Sequence, residues 1–132
     1  MKEVDLPSGA KLKISPTPFG ISKALYQSIL EEGKVLSLKS NLEIGDLLKE
    51  IFCLGYSSKK IEAALWECFK YCLYSDARGE MKIDKDTFEP LSAREDYSIV
   101  CFEVALENII PFLKGLFVEL KARSDRITKL LS

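Results

Sequence analysis

The residues best suited to chemistry are the cysteines and a run of carboxylates. Cys68 and Cys72 stand within "ALWECFKYCLY", residues 64–74. A thiol pair can ligate zinc or cycle through a disulfide, but this spacing argues against both. Redox pairs use C-x-x-C rather than C-x-x-x-C. A disulfide across one helical turn has poor geometry. Structural zinc takes four ligands, in C-x₂₋₄-C pairs on turns, and Cys53 and Cys101 have no close cysteine of their own. The remaining reading is packing, since free cysteine behaves as a small hydrophobe. A helix begun by Ser57 or Ser58 and running to about Ser75 puts Ile61, Ala64, Leu65, Cys68 and Cys72 within about 60° of one direction. Glu67 and Lys70 then lie on the far side.

The carboxylates Asp84, Asp86, Glu89, Glu95 and Asp96 fall in one acidic region, which in principle suits Mg²⁺. An EF-hand register counted from Asp76 fails, with Arg78, Met81 and Thr87 at its third, sixth and twelfth positions. The chain has no histidine. That removes the commonest general base, the Ser/Cys–His nucleophile pairs and most catalytic zinc sites. Carboxylates without a convergent base and electrophile do not make an active site. The sequence therefore points to a protein without catalysis, cofactor or metal.

The elements that position these residues read as follows. "KEVDLPSGAKLKI" alternates apolar and charged residues around a P-S-G turn, which predicts a β-hairpin over residues 1–15. Thr17 as N-cap with Pro18 in the first turn predicts a helix to about Glu32, with Ile21, Leu25, Ser28 and Ile29 on one stripe. Val35–Ser40 reads as extended. Asn41 reads as the cap of a helix carrying Ile44, Leu47, Leu48, Ile51 and Phe52, closed by Gly55. Met81–Ile83 allows a short strand. Ser92 to Glu95 has the spacing of a capping box. From there Ile99, Phe102, Ala105, Leu106, Ile109, Leu113, Leu116, Phe117, Leu120, Ile127 and Leu131 keep within about 60° of one line. Pro111 interrupts that stripe without shifting its phase, so the last helix is expected to kink or break there.

The fold class expected is α+β, mainly α: a hairpin and about four to five helices in one domain. Its parts are the hairpin (1–15), a helical body (18–110) and a C-terminal amphipathic helix (111–132). A straight helix from Ala93 to Leu131 spans nearly 60 Å. A globule of this length is only about 30 Å across. Part of the stripe must then fold back as core or meet another chain. Phe112, Leu113, Leu116, Phe117 and Leu120 are the candidate partner-binding residues.

The 132-residue chain is 47% hydrophobic and 30% charged, the balance of an ordinary soluble domain. No run approaches the ~20 apolar residues of a membrane span. Glu3 and Asp5 stand where a signal peptide needs apolar residues, so a cytoplasmic location is expected. A net charge of −1 argues against a nucleic-acid binder. The charge is uneven: residues 76–107 hold 4 basic and 9 acidic side chains, net −5, and residues 111–132 hold 5 and 2, net +3. Such polarity suits head-to-tail association. It equally suits a helix whose basic end complements its own dipole.

Read in order, several stretches resemble one family, the tail assembly chaperones of long-tailed phages and related prophages. They are Leu6–Gly9 ("LPSG"); Trp66, Cys68, Cys72 and Tyr74; Thr87–Glu89 ("TFE"); Arg94, Asp96 and Tyr97; and Asn108, Pro111 and Phe112. The resemblance covers residues 4 to about 117. Lys70–Tyr71 departs from it, replacing a basic residue expected just before the second cysteine. The resemblance implies a non-enzymatic chaperone that coats the helical tape-measure protein in the host cytoplasm. It implies self-association into oligomers, absence from the finished particle, and often a second, frameshifted form. The alternative is a generic helical adaptor or small regulator with one defined partner.

Overall fold

A computed structural model describes residues 1–32 and 58–131 of the protein. Its described residues form an α+β fold, mainly α, in which a four-stranded antiparallel sheet packs against helices. The strands are β1 (Lys2–Asp5), β2 (Lys11–Ile14), β3 (Cys72–Asp76) and β4 (Gly79–Lys82), in the order β1-β2-β3-β4. The helices are α1 (Phe19–Glu32), α2 (Lys59–Phe69), the short α3 (Leu91–Arg94) and α4 (Tyr97–Leu131). The expected elements at Val35–Ser40 and Asn41–Gly55 lie outside the described residues.

The hairpin forms as its alternation requires. Leu6 N donates to Ala10 O and Gly9 N to Leu6 O, each at 2.9 Å. Gly9 closes this turn at φ 92°, a region that costs a residue with a Cβ. In the register, Val4 pairs with Leu12, Leu12 with Tyr74, and Tyr74 with Met81. Leu12, Ile14, Cys72 and Tyr74 form the inner face, all buried. Lys13 reaches Glu80 at 3.1 Å on the other face. A lone hairpin is marginal in water; here two strands from the body of the chain complete it.

Strand β3 corrects the expected helical body, whereas β4 overlaps the short strand expected at Met81–Ile83. The helix over 58–75 ends at Phe69, and Cys72 opens β3. Ile61, Leu65 and Cys68 follow a helical period, whereas Cys72 and Tyr74 follow a strand period. Both thiols still reach the core, at 0% and 1% exposure, from different elements. Ser58 caps α2, its Oγ accepting from Ile61 N at 3.2 Å. Cys68→Ala is expected to cost about 1–3 kcal/mol by the usual large-to-small logic, with no change in metal content. Urea unfolding and elemental analysis check it, and one bound zinc per chain would refute the packing role.

Two further expectations change. Helix α1 starts at Phe19, with Ile21 N and Ser22 N donating to Pro18 O. Thr17 does not cap it, and its hydroxyl is buried without a hydrogen-bond partner. The capping box at Ser92–Glu95 does not form: Ser92 lies inside α3, whose cap is Pro90. The last helix runs unbroken through Pro111, as one 35-residue element about 52 Å long. Val100 and Val104 are fully buried, on the side opposite the expected stripe. Ile99, Phe102, Ala105 and Leu106 of that stripe are half-buried. The first half of α4 is thus enclosed from both sides, and among the described side chains of the stripe Ile109 and Leu113 reach the core fully.

Candidate functional site

The motifs scattered along the sequence meet in space. Asp96 lies immediately before the first residue of α4 and is fully buried. It accepts from Ser8 N at 3.0 Å, from Ser8 Oγ at 2.5 Å and from the Tyr74 hydroxyl at 2.6 Å. The "LPSG" turn is therefore pinned to the start of α4 through one carboxylate. Burial, reinforced by the bond to Asp96, pushes the Tyr74 phenol up to about 12.

An aromatic layer surrounds this contact. The ring of Phe88 stands edge-on to Tyr74 at 5.7 Å and to Tyr97 at 5.1 Å. Trp66 Nε1 donates to the Tyr97 hydroxyl at 3.4 Å, and Trp66 packs edge-on to Phe69 at 5.0 Å. The segment carrying Phe88 is itself tied down. Asp84 Oδ1 accepts from Asp86 N and Thr87 N, and Arg78 Nη2 donates to Thr87 O at 2.9 Å. On the outer side of the layer a cleft of about 480 Å³ is lined by Trp66, Lys85, Phe88, Glu89, Arg94 and Tyr97.

No family model matches the chain, and no curated protein or solved structure does. Its residues must then be judged on geometry. The acidic region does not converge: Asp96 is occupied in the interior, Asp84 holds its own turn, and Glu89 faces Arg94 at 3.5 Å. Among the described residues, no group of three or more Cys, Asp or Glu could hold a metal ion. Burial pushes the Cys68 and Cys72 thiols up to about 12 and that of Cys101 to about 11. Protonated thiols in the core are poor nucleophiles.

These shifts make a prediction with a definite sign. An unfolded thiol titrates near 9.0 and an unfolded phenol near 10.0, both below their folded values of about 12. The folded chain thus holds protons that the unfolded chain releases. Stability is fully present below about pH 9 and falls as pH rises towards 12. Urea midpoints measured at stepped pH are expected to stay level to about pH 9 and then drop. A level midpoint up to pH 12 would contradict the burial of these groups.

The expected partner-binding residues divide. Leu113 is 4% exposed in this chain's own core. Phe112 is half-buried and stacks on Tyr26 at 4.9 Å, with Phe19 at 5.9 Å. Both therefore join α4 to the rest of this chain. Asn108 extends that joint, accepting from Ser22 Oγ at 2.7 Å and donating to Val104 O at 2.8 Å. The backbone of Leu116, Phe117 and Leu120 continues α4, and their side chains lie outside the described residues. Beyond Leu113 every described side chain of α4 is exposed, including Val118 at 70%. No helix among the described residues is long and apolar enough to cross a membrane.

Sequence reasoning did not find the cleft, nor the bond between Ser8 and Asp96. The usable signal was the aromatic content of three separate motifs, Trp66, Phe88 and Tyr97. Nothing in their spacing says that they touch.

Proposed function

We propose that the protein is a non-enzymatic assembly chaperone for the tail of a long-tailed phage or prophage. In this reading it acts in the host cytoplasm, binds helical segments of the tape-measure protein and keeps them soluble, and is left out of the finished particle. One observation carries it: the last third of α4 extends beyond the core, with every described side chain there exposed. An extended amphipathic helix is what a helical client needs, because apolar anchors at i, i+3, i+4 and i+7 can lie along it. Counted from Leu113, the residues Leu116, Phe117 and Leu120 fall at i+3, i+4 and i+7. Ser8, Tyr74, Phe88, Asp96 and Tyr97, drawn from the stretches that carry the resemblance, meet in one place.

The test is light scattering with size-exclusion, with and without a synthetic amphipathic helix from a tape-measure protein. The peptide is expected to stay soluble and to reorganise the protein's assemblies. Phe117→Asp should abolish that effect while leaving the helical circular dichroism intact. A monodisperse protein indifferent to the peptide would overturn the proposal and leave a helical adaptor with another partner. Unfolding of Phe117→Asp would mean that Phe117 belongs to the core.

A further inference from the structure

We infer that the protruding end of α4 docks an acidic amphipathic helix, one that sets a carboxylate against Arg123. The inference rests on the client-binding reading above and names the chemistry of that client. Residues 114–131 carry α4 about 27 Å beyond Leu113. Lys114, Lys121, Arg123 and Arg126 are all exposed there. Among the described residues none of the four forms an ion pair. Residues 111–132 hold 5 basic and 2 acidic side chains, net +3. The helix dipole does not account for this excess. It acts within the last turn, where Lys129 is the basic residue.

The spacing of the apolar residues says what these charges border. Leu120 and Ile127 are seven apart, and so in turn are Leu116, Arg123 and Leu130. The two series follow the a and d positions of a heptad, the seam that packs against another helix. Arg123 interrupts the second series between two leucines. A charge in such a seam is costly unless the partner answers it, and a polar seam residue then fixes the register. The occupant therefore places Asp or Glu opposite Arg123. The flanking g positions hold Glu119 and Arg126, which cancel. The sign of the occupant is thus set at Arg123 and by the excess of cations around it, which steers an acidic partner. A second copy of the chain does not fit, because its tail would set +3 against +3. An anionic membrane fits less well, because an interfacial helix keeps its cations on the polar face and Arg123 falls in the apolar seam.

The experiment uses the full chain and two synthetic helical peptides with one leucine seam. They differ only at a single seam position, glutamate in one and lysine in the other. Binding is read by fluorescence anisotropy at low and high salt. The glutamate peptide is expected to bind roughly tenfold or more tightly, an advantage that shrinks in salt. Arg123→Glu should reverse the preference. Lys85→Glu, the same change of charge at an exposed position elsewhere, should leave it as it was. Circular dichroism confirms that both variants are folded. Equal affinity for the two peptides overturns the inference and leaves helix binding in place. A preference that Arg123→Glu does not reverse also overturns it. If neither peptide binds, the client-binding reading falls as well. Vesicles of phosphatidylcholine and phosphatidylserine are the third probe, and their binding with neither peptide bound would place the tail on a membrane and overturn both.

Discussion

Replacing Asp96 by alanine is expected to lower the unfolding free energy by about 3–5 kcal/mol, because three donors lose their shared acceptor. The carboxylate has no exposure and accepts from Ser8 N, Ser8 Oγ and the Tyr74 hydroxyl. Alanine leaves all three donors without an acceptor. Each stranded donor costs about 1–3 kcal/mol, and their losses overlap because they share one acceptor. For a domain of this size the melting temperature should fall by roughly 10–20 °C. Ser8→Ala removes one donor but keeps the Ser8 N–H bond, so its cost should be smaller, about 1–2 kcal/mol. Thermal and urea unfolding of the two variants provide the comparison. A loss below about 1 kcal/mol for Asp96→Ala would mean that water replaces the carboxylate and that the contact does not hold the turn to α4.

Pro111→Ala is expected to act in the opposite direction, raising the unfolding free energy by about 1–3 kcal/mol. Pro111 is exposed and lies inside α4, where it has no N–H to offer the Glu107 carbonyl. Alanine restores that bond and removes the clash of the ring with the preceding turn. The gain stops short of the full helix-propensity difference if proline's local geometry serves the α1–α4 joint. That joint is close by, since Ser22 bonds Asn108 and Tyr26 stacks on Phe112. Calorimetry of the variant discriminates. A lower melting temperature would show that the shape set by proline aligns Asn108 and Phe112 with α1, outweighing the missing hydrogen bond.

What could be read from the sequence was local. The hairpin was legible because period-two alternation flanks a P-S-G turn, and α1 because Leu25, Ser28 and Ile29 repeat at helical spacing. Strand β3 was not, because Cys72 satisfies two periods at once. It is in phase with Cys68 on a helix and with Tyr74 on a strand. Pairing with Leu12 and Ile14, distant in sequence, decides between them. The Ser92–Glu95 box gave way for a similar reason: the adjoining Asp96 is held by a residue 88 positions away. The stripe on α4 identified an apolar side but not which side faces inward, since Val100 and Val104 supply a second one. Leu113 was grouped with the partner-binding residues because periodicity carries no information on where a globule ends. The cleft was illegible, being assembled from α2, the segment after β4, and the start of α4.

The bond between Ser8 and Asp96 also sets a timetable. A ribosome delivers the chain from its N-terminus, so the hairpin is finished long before Asp96 exists. Until then its turn has no anchor, although β3, the partner of Leu12 and Ile14, is already made. Closing a loop of this length costs little in equilibrium entropy, since that cost grows only with the logarithm of length. The burden is instead one of waiting. A nascent chain halted before residue 96 carries its strands without α4 to pack against them, which makes truncated products targets for general folding helpers and proteases.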